Sequence, residues 1–486
     1  MRARRLPSAV AATIVATLVG GAPGSGAAAR DEAPAAPVSF HRQVLPLLTA
    51  RCAGCHQPAK AGGEIVLVSH ATLAASRADG EPLVVAGQPD ASALLASVLP
   101  RGERPPKMPK KGEPLAEREV ALLRDWIAQG ALDDTPAGAA LPFSAEQPPT
   151  YAQLPVVTSL DFAPGGGLLA VPGYHEVLLW DVAADGSAAT LAGRLVGMSE
   201  RIQAVAFSPD GTRLAAVGGS PGRFGEVQLW DVAGRKLERS LLLGGDTLYG
   251  GSWSPDGRLL AFGGGDASVR ALDVATGELV FFNAASEDLA LDTAFSKEGS
   301  HLVSVGRDRA LKLFQVATQQ FLDNITSITP GALKGGLQVV DRQPGEDVLL
   351  IGGADGQPKT YKMHRTQKRV IGDDFNHVKS YAPLPGRLFA CEYAPDGTLF
   401  VAGASHHRRG EVRLYAVADE APRWSLPFDG AIYAATFRGD GALVAAAGFS
   451  GEIVLIDAAT GQPRQRFAAA PLPADAARSP RAEGRP

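Results

Sequence analysis

Cysteine is almost missing from this chain: three occur in 486 residues, at Cys52, Cys55 and Cys391. That is too few to supply the additional thiolates a zinc half-site needs close by. Methionine is nearly as scarce, with four in all, so any role that requires a thioether has few candidates. Excess charge of one sign is lacking too. A formal net charge of −4 gives neither nucleic acid nor an anionic membrane surface a reason to bind. A stable membrane span is not expected, because the apolar stretch from Ala9 to Leu18 is too short to cross a bilayer.

Two of the cysteines stand in Cys52-Ala53-Gly54-Cys55-His56. Thiols three positions apart on the first turn of a helix can each add across one vinyl group of haem, and the adjacent imidazole then reaches the iron. A thioredoxin-like CxxC expects a βαβ context and no histidine directly after it; a zinc site expects further Cys or His ligands nearby. Neither condition is met. Cys391 lies in a strand-like run far down the chain. The motif therefore predicts one covalent haem c, with Cys52 and Cys55 as thioether links and His56 as the proximal iron ligand.

The N-terminus agrees with that chemistry, since c-type haem is attached outside the bacterial inner membrane. Residues 1–29 read as a cleavable secretory signal: basic Met1 to Arg5, the apolar stretch, then Ala27-Ala28-Ala29 before Arg30. Leu6-Pro7 after Arg4-Arg5 does not suit a twin-arginine signal, and no cysteine near the cleavage site offers a lipid anchor. The expected location is the periplasm.

Residues 37–134 read as helices around a haem pocket. Phe40, Val44, Leu45 and Leu48 recur at helical spacing before the cysteines; Leu67, Leu73, Val84, Leu94, Leu95 and Val98 suggest short helices broken at Gly80 and Gly87-Gln88-Pro89. The segment Ala116 to Gln129 puts Val120, Leu123, Trp126 and Ile127 on one stripe, with Gly130 as a stop. Between them runs Pro105-Pro106-Lys107-Met108-Pro109-Lys110-Lys111-Gly112. Prolines make this a stiff extended loop able to carry a thioether sideways to iron. Met1 leaves with the signal and Met198 and Met363 belong to the later region, so Met108 is the expected distal ligand. The competing reading, a gap-filling core methionine, fits poorly with the flanking prolines and lysines. His70, the main rival, reads as a surface or capping residue, and His41 as a helix-surface residue.

The run from Phe40 through RCAGCH, GGEIVL, VVAGQPDASALL, KMPKKGEPL and the Trp126 helix resembles the small cytochrome c domain common in large proteins of Planctomycetes, which is similar to class I cytochromes c. The resemblance implies His56 and Met108 as axial ligands. One departure is that KMPKKG stands where the family more often has MPPKG, which shifts the lysines.

A Pro-rich, disordered linker is expected over 135–150, and strand signals follow. The phrases LDFAPGGG, VAFSPDG, GSWSPDG, TAFSKEG, VVDRQPGE, CEYAPDG and ATFRGDG place equivalent turn residues at Pro164, Pro209, Pro255, Lys297, Pro344, Pro395 and Gly439. Their spacings are 45, 46, 42, 47, 51 and 44 residues. Seven repeats of that period predict a seven-bladed β-propeller over 151–470. Third strands such as VLLWDV, VQLWDV and LKLFQV read as alternating apolar positions. This region resembles the WD-repeat family, although the Trp-Asp pair survives only at Trp180-Asp181 and Trp230-Asp231 and the Gly-His pair is missing. Residues 471–486 read as a disordered tail. The fold class is thus multidomain: a small all-α cytochrome c domain followed by an all-β propeller.

Blades two and six carry longer connections, 218–226 and 403–411, expected on one face. Arg223, Arg307, Arg309, His406, His407, Arg408 and Arg409 would make that face basic, although ordinary solvated loops account for them better. Adjacent His406 and His407 make a poor metal site.

The reading favours an electron-transfer protein over an enzyme: one-electron exchange through a His/Met haem closed to substrates, with the propeller as a docking platform. A redox partner protein is expected at the Lys107, Lys110 and Lys111 surface, with Arg104 beside it, or at the propeller face. Two other readings stand beside it. One is a redox enzyme whose propeller holds a second haem or a quinone; it needs histidines or acidic residues converging at the propeller mouth, and His175, His301, His364 and His377 show no shared register. The other is a non-redox interaction scaffold.

Overall fold

The computed structural model describes residues 37–110, 113–136, 143–327, 335–370 and 372–473. The expected signal segment, Lys111 and Gly112, and the tail from 474 lie outside the described residues.

The helical region starts where the Ser39 hydroxyl accepts the Arg42 amide and caps a π-type turn, Phe40–Val44, that runs into helix α1, Leu45–Arg51. Phe40, Val44 and Leu48 form the buried stripe the spacing predicts, while Leu45 stays partly open. Helix α2, His70–Ala75, is held at its start by a reciprocal Ser69–Thr72 capping box. Helix α3, Ala93–Val98, buries Leu94, Leu95 and Val98. Helix α4, Glu117–Ala128, buries Leu123, Trp126 and Ile127, and the Glu119 carboxylate accepts the Ala116 amide at 2.7 Å. These stripes meet in one core cluster. Asp134 then accepts from the Ser39 hydroxyl at 2.5 Å and the His41 amide at 2.8 Å, joining the end of the region to its start.

His70 is not the surface or capping residue its neighbours suggest. Its ring lies edge-on to Phe40 at 5.0 Å and to Trp126 at 6.0 Å, and its Nε2 is 2.8 Å from the Ala131 carbonyl, so it wedges α2 against the chain after α4. His41 is likewise half-buried, with an unpartnered Nδ1.

From Asp161 onward the chain is mostly strand. Five four-stranded antiparallel sheets cover Leu248–Asn283, Ala290–Asn324, Leu337–Ser380, Arg387–Phe428 and Ile432–Ala468. A seven-stranded sheet precedes them, in which one 19-residue strand, Ala189–Phe207, serves two successive repeats. Counting that strand twice leaves seven four-stranded units, one per sequence repeat. The innermost strands touch in sequence order, and Ile432–Phe437 of the last touches Asp161–Phe162 of the first. This arrangement is consistent with a β-propeller, and the units are called blades 1 to 7 below.

The Pro-Asp-Gly turns explain themselves locally. In blade 2 Asp210 accepts from the Ser208 hydroxyl and the Thr212 amide, and Gly211 takes the left-handed φ of +70° the turn requires. Each blade uses its own contiguous chain, so blades 1 and 7 meet without exchanging a strand. The Val157 amide donates to the Gly448 carbonyl at 3.0 Å, Trp180 Nε1 donates to the Ala469 carbonyl at 3.2 Å, and side chains of both blades share one core.

Three expectations need correction. Third strands are not alternately buried: from Val227 to Trp230 every residue is buried, Gln228 included, because neighbouring blades cover both faces. Leu472 packs on the blade 1 and 7 core, so order extends past 470. In the linker, Phe143 packs edge-on against Tyr174 at 5.8 Å and the Pro149 carbonyl accepts from Arg194, so its described end is ordered.

Candidate haem site

The CxxCH run does not lie on the first turn of a helix. It follows the end of α1 as an extra turn, with the Cys52 amide donating to the Leu48 carbonyl at 2.9 Å and the His56 amide to the Cys52 carbonyl at 3.1 Å. That turn brings both thiols and the imidazole onto one short segment. Neither cysteine is in a disulfide. Cys55 is exposed, whereas Cys52 packs on the helical core, where burial pushes its thiol up to about 11 against the opposing pull of Arg51.

His56 is oriented by its surroundings. Its Nδ1 lies 3.3 Å from the Ile65 carbonyl, so the tautomer with the proton on Nδ1 leaves Nε2 a free lone pair. Burial lowers its pKa, with Lys110 acting in the same direction, so the neutral ligand form is favoured. The Lys110 charge also places the proline-rich loop within electrostatic reach of the ring. Gly62 passes beside it, where a Cβ would stand 3.0 Å from the Cys55 carbonyl and 3.5 Å from His56 Cε1. Gln57, fully buried, donates to the Ala53 carbonyl at 3.2 Å while its Oε1 has no partner.

Met108 is half-buried, its amide donating to the Ser97 carbonyl at 2.9 Å, and its side chain packs on the same apolar cluster as Cys52. Free thiols, an imidazole fixed at one nitrogen, a thioether on the same core and an orphaned buried acceptor form a donor set that fits a covalent haem. Around the loop, Arg104, Lys107 and Lys110 are exposed, and Lys107 pairs with Asp79 at 3.2 Å.

The same turn rests on the strand region. Lys60 Nζ donates to the Glu238 carbonyl at 2.5 Å, and Ala59 packs on the cluster of Trp230 and Leu237. This contact is invisible in the order of residues, because its key residue, Gly54, matters through the side chain it lacks.

In the propeller, the loops at 220–224 and 406–409 both join second to third strands, as does the Arg307–Arg309 turn, so they occupy equivalent positions. Among the described residues no group of three or more His, Cys, Asp or Glu is placed to hold a metal. His301 and His364, read as scattered, come together with ring centroids 4.8 Å apart, and His364 lies 3.4 Å from Asp347. Adjacent blades bring them together, a relation that chain order hides.

Acidic residues also converge unexpectedly. Asp161, Asp292, Asp341 and Glu392 line a central cavity of about 590 Å³. Each accepts an amide of another blade's inner strand: Phe207 at 2.5 Å, Val340 at 3.0 Å, Tyr393 at 2.7 Å and Phe437 at 2.8 Å. Burial raises all four, Asp161 and Asp292 to about 7 and Asp341 to about 6. They stitch blades together. No helix among the described residues is long and apolar enough to cross a membrane.

Residues 52–112 match the family described as planctomycete cytochrome C, which makes this part cytochrome-like and points to haem binding. The chain is also 24% identical over 226 residues to the WD repeat-containing protein 26 homolog of Arabidopsis thaliana, covering 45% of this chain and 38% of that protein. It is 28% identical over 210 residues to human Coronin-7, covering 41% and 22% respectively. With the eukaryotic translation initiation factor 3 subunit I of Kluyveromyces lactis it shares 23% identity over 298 residues, covering 53% of this chain and 82% of the relative. The chain thus spans less than half of the first two relatives, and what it shares with them is WD-repeat character suited to protein interaction. A cytochrome-like segment joined to WD repeats is what the chain is similar to.

Proposed function

We propose that this protein is an exported c-type cytochrome that passes single electrons to a partner protein, with a closed seven-bladed propeller as its docking platform. The observation that carries this reading is the CxxCH turn whose histidine is held at Nδ1 by the Ile65 carbonyl, inside the segment similar to planctomycete cytochrome C. Cys52 and Cys55 would hold one haem c by thioether bonds, and His56 and Met108 would be the ligands to its iron. When bound, that group supplies a reversible one-electron couple.

The chain's own residues do the rest. Burial keeps the imidazole neutral and the Ile65 carbonyl aims it, the helical core around Phe40, Leu48 and Trp126 excludes water, and the prolines around Met108 restrict its loop. Arg104, Lys107 and Lys110 are placed to steer an acidic partner. Domain limits of 37–134 and 151–470 and a secretory signal in 1–29 belong to this reading.

The test is the spectrum of the protein purified from the periplasm. Expected are one haem per chain, a c-type reduced-minus-oxidised difference spectrum, and a weak sulfur-to-iron band in the oxidised state that Met108→Ala abolishes. A preparation without haem sinks the proposal, and a band that persists in the variant removes Met108 from it.

A further inference from the structure

Blades 3, 4 and 5 carry exposed apolar side chains along their outer rims. Leu279 and Phe282 on the first, Phe321 and Leu322 on the second and Val378 on the third are solvent-exposed, Phe282 at 48% and Leu322 at 44%, and so is Val370, at 65%, in the loop that leads into the third. Hydrogen bonds link the three blades along this rim. The Phe282 amide donates to Gln319 Oε1 at 3.2 Å, and Arg369, beside Val370, donates to Asp323 at 3.0 Å.

The rims of blades 2, 6 and 7 are protected. On blade 2 the Lys60 ammonium and Ala59 cover the outer strand. Blade 6 has Pro422 and Pro427 in its outer strand, and blade 7 has Pro463, Arg464 and Arg466, devices that blunt an edge. The strands Leu279–Asn283 and Gln320–Asn324 contain neither proline nor a cation.

We propose that this face binds a second copy of the same chain, giving a two-fold dimer. Area is the first argument: at roughly 150–250 Å² for a whole aromatic side chain, these exposures leave on the order of 500–700 Å² open per copy. Two such faces come close to the lower end, about 1,200 Å², of specific interfaces. Isolated exposed residues need no partner, whereas a contiguous patch of this size marks one.

Charge is the second argument. A two-fold interface brings each residue's neighbourhood against its own copy, so unpaired cations would repel. Three arginines beside the patch are paired within the chain: Arg270 with Asp266, Arg365 with Asp373 at 2.6 Å and Arg369 with Asp323 at 2.9 Å. Arg270 and Arg365 also lie over the rings of Phe282 and Phe375, at 5.4 and 5.3 Å. A face so neutralised has little pull on anionic lipid and presents no obstacle to self-association.

The test is the mass of the full exported protein in solution by light scattering during size-exclusion chromatography, from about 1 to 100 µM. A mass of two chains is expected, with Phe282→Asp combined with Leu322→Asp raising the dissociation constant at least about thirtyfold. Val370→Asp, on another blade, should weaken the dimer separately. It carries the test should the double variant melt early. A wild type that stays monomeric at 100 µM overturns the proposal, as does a dimer indifferent to both folded variants. A monomer that sediments with phosphatidylcholine vesicles also overturns it and assigns the face to a membrane.

Discussion

Gly54, between the two motif cysteines, lies so close to blade 2 that a Cβ on it would come within 2.8 Å of the Ser240 carbonyl oxygen. Backbone meets backbone there, and neither can retreat as a side-chain tip would. The CxxCH turn is thereby seated on the outer strand Lys236–Leu242, with Lys60 anchoring it at Glu238.

Gly54→Val should unseat this contact. Forced overpacking costs about 1–3 kcal/mol, enough to make amide hydrogen exchange over 236–242 at least about fivefold faster. The substitution leaves both cysteines and His56 in place, so haem content should stay unchanged. Unaltered exchange in this strand would refute the seating.

The cavity carboxylates predict a pH dependence. A carboxyl whose folded pKa is raised binds more protons in the folded state, so its contribution is complete at low pH and fades as pH rises through the folded value. For Asp161 and Asp292 the window runs from the usual 3.8 to about 7. Asp161→Asn keeps an oxygen for the Phe207 amide but cannot ionise. Between pH 4 and 7.5 the variant should lose less stability to urea than the wild type, by about 1–2 kcal/mol after allowing for screening by cavity water. Parallel pH profiles would count against raised values in the cavity.

Trp180 tests how the ring is closed. Trp180→Phe removes the hydrogen bond to Ala469 and should cost about 1 kcal/mol, while Trp180→Ala, which also empties part of the shared core, should cost about 3–5 kcal/mol. The urea midpoint of the strand region reads both. Equal effects would mean that the indole nitrogen, and not packing, holds blade 1 to blade 7.

Steering by the Met108 loop predicts a salt effect. Lys110→Glu should slow electron exchange with an acidic acceptor severalfold at low ionic strength, and the difference should vanish near 1 M salt, where the Debye length falls to about 3 Å. Rates indifferent to salt in both proteins would remove steering from the proposed function.

Much of this molecule is legible in its order of residues. The turn phrases near a 45-residue period mark each blade, since Asp and Gly close those turns by contacts within a few residues, as at Asp210 and Gly211. Helix α4 shows in the same way, its stripe of Leu123, Trp126 and Ile127 being a matter of local spacing. Cys52, Cys55 and His56 fall within one five-residue run, so their nearness is read directly from the chain.

Hidden in the sequence were relations between residues far apart. His70 gives no sign of its wedge between Phe40 and Trp126, and His301 and His364 belong to different repeats. The Asp161, Asp292, Asp341 and Glu392 carboxylates look like surface acids until neighbouring inner strands supply their amide partners. Spacing, turn chemistry and a compact motif act over a few residues, and the sequence alone determined them. Which strands neighbour one another, what covers the CxxCH turn and which apolar rim stays open depend on how blades pack across hundreds of residues, and only the tertiary structure decided those.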